Sequence, residues 1–372
     1  MSTRGERPAY QAQGGRDMYR MSPKERFATC VAHRQPDRPP IQFYTTPEFE
    51  AKLQERFPGQ NLLEVLEVDF RTVSVPRKKP LRQPEPGSPV VYYDEWGVGY
   101  VRQSYGFGEY LEAYEVPFAN MRTLKEVEEY PWPSVDDYDF SGLKEACRAV
   151  GDYVVCFGHA GIPDIINGVS RGRGMEQVLI DILTEDEAGV AIIDHRVEFY
   201  YEFVKRGLEA ADGLIDVLCL GEDLGNQMGP MVSPEVFDRF FRPRLQRFYD
   251  LGHQYGCKVM MHSCGSTRLL QPRLVEMGLD ILDAMQPEPV GMDPEEIKRE
   301  VGDRLTLCGL ISTQRTLPFG TIEDCIAEAK HRVKVIGKDG GYIFAPSHCI
   351  QPNTPVDNVL AAYEVVTGKK LR

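Results

Sequence analysis

Short apolar runs alternate with capped helix starts along most of this chain. The runs predict buried β-strands at residues 153–157, 217–220, 258–261, 281–285, 305–310 and 342–345. Helices with Ser, Thr or Asp near their starts are predicted between them, at residues 184–187, 233–235, 293–296, 321–324 and 354–357. Two earlier runs, at residues 41–44 and 71–75, complete a set that predicts an α/β fold of the (β/α)8 TIM barrel type. A doubly wound open sheet competes with it, but no G-x-G-x-x-G motif follows the first strand.

The predicted barrel has a tail before it and an insertion within it. Residues 1–21 are polar and rich in Gly and Arg, and we expect a flexible N-terminal tail there. Residues 22–372 are expected to form a single barrel domain. Around residues 76–120, aromatic and β-branched residues alternate between Gly and Asp turns, which predicts an inserted antiparallel element. We interpret this insertion as a candidate lid or docking surface, although a purely structural cap is the commoner role.

The composition limits the partners that this chain is expected to bind. Its 372 residues carry a formal net charge of −13, which argues against nucleic acid or an anionic membrane surface as a partner. No apolar run is long enough to span a bilayer and no signal-peptide core precedes the first helix, so we expect a cytoplasmic protein. Nine cysteines, an odd number in a long chain, indicate reduced thiols. A small molecule or another protein is the expected partner.

A His-x-Cys pair stands at the end of the predicted strand at residues 258–261. His262 and Cys264 are two positions apart, so their side chains point to the same face of an extended strand. Imidazole and thiolate together suit zinc better than magnesium or calcium, which prefer oxygen ligands. A buried cysteine is more often a small hydrophobic residue, so a metal site here needs further ligands.

Polar residues at other strand ends supply those candidates, because the carboxyl ends of all strands meet on one face of a barrel. The candidates are His159, Glu222, Asp223, Gln286, Gln314, His348 and Cys349. Exposure to water explains carboxylates and glutamines at such positions, but it explains His and Cys at two different strand ends less well. We predict Glu222 and Asp223 as catalytic carboxylates, and His159, Gln286 and Gln314 as substrate-binding residues.

The third metal ligand is predicted to come from His348 or Cys349. Adjacent residues on a strand face opposite ways, so only one of the two is expected to bind with His262 and Cys264. A second thiolate would favour a thiol substrate, whereas a second imidazole would favour Lewis-acid chemistry on a bound oxygen. Asp223 or the neighbouring glutamate could fill a fourth position, orient His262 or carry protons.

Several stretches resemble the uroporphyrinogen decarboxylase superfamily, namely residues 221–225, 233–235, 259–265 and 345–352. The likeness extends over about residues 22–368 and is greater to the corrinoid-linked methyltransferase branch, which includes the methylcobalamin:coenzyme M methyltransferases. In that branch a His-x-Cys pair and a later cysteine hold zinc, which activates a thiol for methyl transfer. The resemblance implies zinc ligation by His262 and Cys264 and a corrinoid carried by a separate protein.

The third ligand departs from the pattern of that branch, which resembles Pro-Gly-Cys-Gly-Ile near the C-terminus. Aligning this motif on Pro346 and Ile350 puts His348 where the family has its cysteine. A shift of one residue would restore Cys349. The resemblance therefore leaves a His/Cys/Cys site and a His/Cys/His site as alternatives.

The arginines also depart from the decarboxylases, which carry a stretch resembling Arg-Gln-Ala-Gly-Arg after the first strand. Residues 42–47 of this chain contain no arginine, which argues against a substrate with four carboxylates. Arg171 and Arg173 could hold a carboxylate or a corrinoid phosphate, although a solvated loop is the simpler interpretation.

We therefore expect a zinc-dependent methyltransferase that moves a methyl group between a corrinoid and a small methylated substrate or thiol. The alternatives are a decarboxylase of a porphyrinogen, which needs no metal, and a non-catalytic protein that binds a tetrapyrrole or corrinoid. Zinc content and methyl transfer to or from cobalamin distinguish the three.

Overall fold

Seven parallel strands form the main sheet of the protein. The computed structural model describes residues 21–106 and 108–372, so the predicted tail lies outside the described residues except for Met21. The strand order is β1-β5-β6-β7-β8-β9-β10. The bounds are β1 Phe70–Val73, β5 Val154–Pro163, β6 Val217–Gly221, β7 Lys258–His262, β8 Ile281–Met285, β9 Thr306–Ile311 and β10 Tyr342–Pro346.

The segment around Ile41 closes this sheet into a barrel. The Gln42 N–H donates to the Phe344 carbonyl over 2.9 Å, which pairs the segment with β10. The Asp69 N–H donates to the Ile41 carbonyl over 2.9 Å, which joins it to the start of β1. The predicted strand at 41–44 is thus a short parallel bridge, and the predicted TIM barrel is confirmed.

Helices follow the strands and cover the barrel. Their bounds are α1 Pro23–Val31, α2 Pro47–Arg56, α3 Leu62–Val65, α4 Leu124–Glu128, α5 Leu143–Ala149, α6 Ile165–Arg173, α7 Met175–Thr184, α8 Glu187–Ala211, α9 Pro234–Val236, α10 Arg242–Gln254, α11 Gln271–Glu276, α12 Pro294–Val301, α13 Thr316–Phe319, α14 Ile322–His331 and α15 Val356–Thr367. Ser22 and Thr321 form capping boxes at the starts of α1 and α14. Their side chains accept hydrogen bonds from helix N–H groups that have no partner within the helix.

A separate antiparallel sheet lies within the predicted insertion. It consists of β2 Tyr92–Tyr93, β3 Gly99–Ser104 and β4 Glu109–Glu115, paired in that order. The Trp96 ring between β2 and β3 lies edge-on to Phe199 of α8, with centroids 5.1 Å apart. The Tyr110 hydroxyl donates to Gln351 beyond β10 over 3.0 Å. These contacts place the small sheet over the carboxyl ends of the barrel strands.

The region between β5 and α8 is more ordered than the sequence predicted. The strand β5 continues past residue 157 to Pro163, and two helices, α6 and α7, fill residues that had no predicted element. Arg196 of α8 supports this extension because its guanidinium donates to the carbonyls of Gly161 and Pro163. A Cβ at Gly168 would overlap the Arg196 guanidinium, so a larger residue there would displace the arginine from α6.

One apolar core joins the barrel to its helices, from Phe27 to Val366. All nine cysteines are free thiols, as the sequence predicted. Among the described residues, no helix has the length and apolar character needed to cross a membrane.

Candidate metal centre

The strand β7 delivers His262 and Cys264 to the same point. The strand ends at His262, and the chain turns beyond Cys264 at Gly265, whose φ of 75° suits glycine. The Cys264 Sγ lies 3.3 Å from the His262 Nε2. Both side chains are half-buried, so they are shielded by protein on one side and accessible on the other.

His348, two residues beyond the end of β10, joins this pair. Its ring nitrogen, the Cys264 Sγ and a ring nitrogen of His262 all lie within 4.8 Å of one another. Tetrahedral zinc with two imidazoles and a thiolate holds its donor atoms about 3.3–3.8 Å apart, given the usual zinc–ligand bond lengths. The donor set and its spacing therefore fit a zinc ion, with small adjustments of the side chains.

Asp283 at the end of β8 orients His262. Its Oδ2 lies 3.0 Å from the His262 Nδ1, so that nitrogen holds the proton and Nε2 is left to bind a metal. Burial lowers the pKa of His262, but hydrogen bonds to Asp283 and Cys264 raise it well above its usual value overall. A carboxylate behind a histidine is a common support for a metal ligand.

Asp223 connects the cluster to α6. One of its oxygens accepts the Cys264 N–H over 2.8 Å and lies 3.9 Å from the His262 Nε2. The other accepts from the Asn167 side chain over 2.7 Å. Asp223 therefore fixes the backbone of one candidate ligand and stands at the edge of the cluster, and its catalytic role stays a prediction.

Glu222 has a different position from the one expected of a catalytic carboxylate. It is fully buried, and its two oxygens accept the N–H groups of Ile165 and Ile166 over 2.6 and 3.0 Å. Burial and the nearby charge of Asp164 raise the pKa of Glu222 well above its usual value, while these two hydrogen bonds lower it. Its contacts anchor the start of α6 and leave no oxygen facing a substrate.

The other three predicted site residues, Cys349, Gln286 and Gln314, lie in three different places. Cys349 lies outside the cluster and lines a different cavity with Phe43 and Tyr44, so this geometry does not support it as a ligand. Gln286 is buried and accepts the Gly265 N–H over 2.9 Å, so it holds the turn after β7. Gln314 is exposed and does not line the cavity beside His262, so the structure gives no support to its prediction as a substrate-binding residue.

A cavity of about 550 Å³ lies beside the cluster, under the small antiparallel sheet. Its wall includes His262 and Asp223 on the barrel side, His159 within β5, and Tyr92 and Tyr100 from the small sheet. The predicted insertion thus forms part of the enclosure of the site, and His159 faces the space where a substrate would bind.

This wall includes two residues that the sequence did not indicate, Arg196 and Asp164, and one, Arg171, that it offered only as an alternative to a solvated loop. Arg196 from α8 and Arg171 from α6 line the cavity, as does Asp164 between β5 and α6. Arg173 instead is buried, ion-paired with Asp181, so the predicted solvated loop at this point is wrong. The signal that was missed is the longer β5, because its true end at Pro163 places Asp164 among the strand-end residues.

The uroporphyrinogen decarboxylase (URO-D) family matches residues 112–368, which is more than half of the chain. The chain belongs to the uroporphyrinogen decarboxylase family. Within the family it is 31% identical, over 147 residues, to the methylcobamide:CoM methyltransferase MtaA of Methanosarcina barkeri. That match spans only 39% of this chain and 40% of the relative. It is also 26% identical over 250 residues to the uroporphyrinogen decarboxylase of Anaeromyxobacter dehalogenans, or 63% of this chain and 65% of that protein.

A solved structure of a methyltransferase from Methanosarcina mazei has the same fold. It aligns with a TM-score of 0.64 over 94% of this chain and 99% of that chain, at 17% sequence identity. Residues 42–47 of this chain, after its first strand segment, contain no arginine. The arginines of its cavity come from α6 and α8 instead.

Proposed function

We propose that this member of the uroporphyrinogen decarboxylase family is a zinc-dependent methyltransferase, acting between a corrinoid and a small substrate. The observation that carries the proposal is the convergence of His262, Cys264 and His348 beside a cavity of about 550 Å³. A porphyrinogen decarboxylase needs no such cluster of metal ligands. The similarity to the methylcobamide:CoM methyltransferase of M. barkeri supports the same conclusion.

Zinc in this position would supply a Lewis acid that stabilises negative charge on the heteroatom that gains or loses the methyl group. His262, Cys264 and His348 would hold the ion from one side, so the cavity side stays open to the substrate. Asp283 fixes the ring of His262, and Asp223 fixes the backbone of Cys264. Tyr92 and Tyr100 line the cavity that the substrate would enter.

We propose an oxygen substrate, such as a methyl ether or its alcohol, as the first candidate. The cluster offers two imidazoles and one thiolate, and a set with fewer thiolates leaves zinc a stronger Lewis acid towards oxygen. A thiol is the second candidate, because the name of the M. barkeri relative specifies coenzyme M as the methyl acceptor. A separate protein would carry the corrinoid.

The cellular location belongs to the same proposal. All nine cysteines are free thiols, which is typical of the reducing cytoplasm. We therefore propose that the protein acts there.

The test begins with metal content and continues with methyl transfer. Protein purified under reducing conditions without chelators should hold about one zinc per chain, and less than about a tenth of an equivalent would contradict the proposal. The visible spectrum of cobalamin is then followed without oxygen in two reactions. One pairs methylcobalamin with coenzyme M and other thiols, and the other pairs cob(I)alamin with methyl ethers such as anisole.

The outcomes separate the candidate functions. Demethylation of an ether supports the oxygen substrate, and methylation of a thiol supports the second candidate. Tight cobalamin binding without turnover would indicate a corrinoid-binding protein. Loss of carboxylate groups from a porphyrinogen by the metal-free protein would indicate a decarboxylase.

A further inference from the structure

Asp164 is a buried carboxylate in the cavity that the proposed function leaves without a role. It lies between the end of β5 and the start of α6, and the residue is 7% exposed. Its side chain forms part of the same cavity wall as His262 and Asp223. A carboxylate at this depth is costly unless it is neutralised or serves a ligand.

The Asp164 carboxylate has no partner in the part of the chain that the structure describes. It accepts no hydrogen bond there, no Lys, Arg or His nitrogen lies within 4.0 Å of it, and it does not cap the helix that it precedes. The other carboxylates around the cluster each have at least one polar partner: Glu222 accepts two N–H groups, Asp223 accepts from Cys264 and Asn167, and Asp283 contacts His262 through Oδ2, while its Oδ1 is buried without a partner among the described residues. Asp283 does not line the cavity, whereas Asp164 does, so Asp164 offers an unpartnered carboxylate to a molecule bound there.

The backbone holds Asp164 in this position against a conformational cost. Its φ of 47° and ψ of 69° are left-handed, a region that aspartate and asparagine adopt more readily than most residues. Its N–H donates to the Gly221 carbonyl and its own carbonyl accepts the Gly168 N–H, each over 2.9 Å. Strained backbone that is fixed on both sides is typical of functional positions.

Charges from four elements face this carboxyl group. Arg171 on α6, Arg196 on α8 and His262 on β7 favour its ionised form. Asp223, beyond β6, opposes ionisation, and Glu222 beside it is a further carboxylate of the same cluster. Burial has the largest effect and raises the pKa of the Asp164 carboxyl to about 6. A group that titrates near neutral pH can both accept and release a proton during turnover.

We propose that Asp164 carries the proton of the methyl transfer. The inference rests on the proposed function and adds a catalytic residue to it. When the substrate is methylated, its S–H or O–H bond breaks and the electron pair of that heteroatom forms the new bond to the methyl carbon. The cobalt–carbon bond breaks, its electron pair stays on cobalt, and the proton passes to the Asp164 carboxylate. In the reverse direction Asp164 gives this proton to the heteroatom as the methyl group leaves for cobalt.

The first test is Asp164→Asn, which keeps the size and the tolerated backbone conformation of the side chain. Asp212→Asn is the matched control, because Asp212 also has a left-handed backbone, with φ of 52°, but lies exposed at the end of α8. We expect Asp164→Asn to lower kcat by about 100-fold or more at unchanged zinc content, as the loss of a general acid or base does. We expect the control to stay within about twofold, like most surface changes.

The pH profile supplies a second readout. In the methylation direction the wild type should gain activity as pH rises through about 6, because Asp164 must be ionised to accept the proton. Asp164→Asn should lose this limb of the profile. Asp164→Gly, which leaves room for a small acid, should regain activity when formate is added.

A third readout does not depend on turnover. Binding of coenzyme M or phenol, whichever corresponds to the substrate that the wild type turns over, is followed with a pH indicator in weak buffer. When the ligand binds, the wild type should release fewer protons to the solution than Asp164→Asn, by up to one per site. The reason is that the Asp164 carboxylate keeps the proton of the bound group. A wild type inactive with all probes would overturn the proposed function itself. An active wild type with an equally active Asp164→Asn variant of the same pH profile would overturn only the role of Asp164.

Discussion

Two His/Cys pairs reach the same end of the barrel, but their spacing gives them different geometry. His262 and Cys264 are separated by one residue, and both point into the cluster. His348 and Cys349 are adjacent, and only His348 enters it. Cys349 lines a cavity of about 500 Å³ on another side, with Phe43 as a neighbour. Because His348 and Cys349 are adjacent, their side chains diverge where the chain bends beyond β10, and only one of them reaches the cluster.

The two pairs also differ in the hydrogen bonds that support them, since His262 and Cys264 are both held by carboxylates. Asp283 holds the ring of His262 and Asp223 holds the backbone N–H of Cys264. His348 makes no comparable hydrogen bond to a carboxylate within the described residues, and its ring lies 5.9 Å from that of His262. The pair on β7 is therefore the rigid half of the candidate site, and His348 is the half that can adjust.

Removal of a ligand from the rigid half should have the largest effect. Cys264→Ala is expected to weaken zinc binding by about 1,000-fold or more, beyond the 10–100-fold typical of a supporting residue. Methyl transfer should fall below detection. Zinc per chain is measured by elemental analysis after dialysis against a weak chelator. Cys325→Ala, which removes a buried thiol of α14, is the control and should keep its zinc.

Substitution of His348 and of its neighbour Cys349 should have opposite outcomes for zinc binding. His348→Ala should weaken zinc binding by more than about 100-fold, since it removes a ligand and not only its support. Cys349→Ala should leave zinc content unchanged, because its thiol lies outside the cluster. The comparison of the two pairs is wrong if Cys349→Ala loses zinc while His348→Ala retains it.

The sequence predicted most of the barrel because apolar runs and helix caps are local signals. The strand at Lys258–His262 and the capping box at Thr321 depend on residues that are neighbours in the chain. The helix α6 was missed because the support for its start is distant in sequence. Glu222 binds its first N–H groups, and Arg196 holds the strand before it.

The sequence could predict those ligands of the candidate site that the two-residue repeat of a strand places on one face. His262 and Cys264 share a face at any register, because they are two residues apart. The choice between His348 and Cys349 depends on register, and a shift of one residue exchanges their faces. Asp164 was missed because the predicted strand ended at residue 157, and because its burial and its lack of a partner within the described residues appear only in the fold.

The support behind the rigid pair should have an intermediate effect. Asp283→Asn removes the charge that orients the His262 ring, while keeping the size of the side chain. Zinc affinity should fall by about 10–100-fold, as it does when a carboxylate behind a ligating histidine is lost. Competition with a chromophoric chelator measures the affinity. A zinc affinity equal to that of wild type would mean that Asp283 does not support His262, and the contrast between a supported pair and an adjustable His348 would then be wrong.

The smallest effect on zinc is expected when the adjustable ligand is exchanged for another ligand. His348→Cys changes the donor set to one imidazole and two thiolates at the same position, so zinc affinity should stay within about tenfold of wild type. The added thiolate raises electron density at the metal, which weakens it as a Lewis acid towards oxygen. We therefore expect the ratio of thiol methylation to ether demethylation to rise. The cobalamin spectrum measures both rates, with Cys349→Ala as the control for a changed cysteine count. An unchanged ratio in zinc-loaded His348→Cys would mean that this residue does not touch the metal, and that the third ligand must be sought elsewhere.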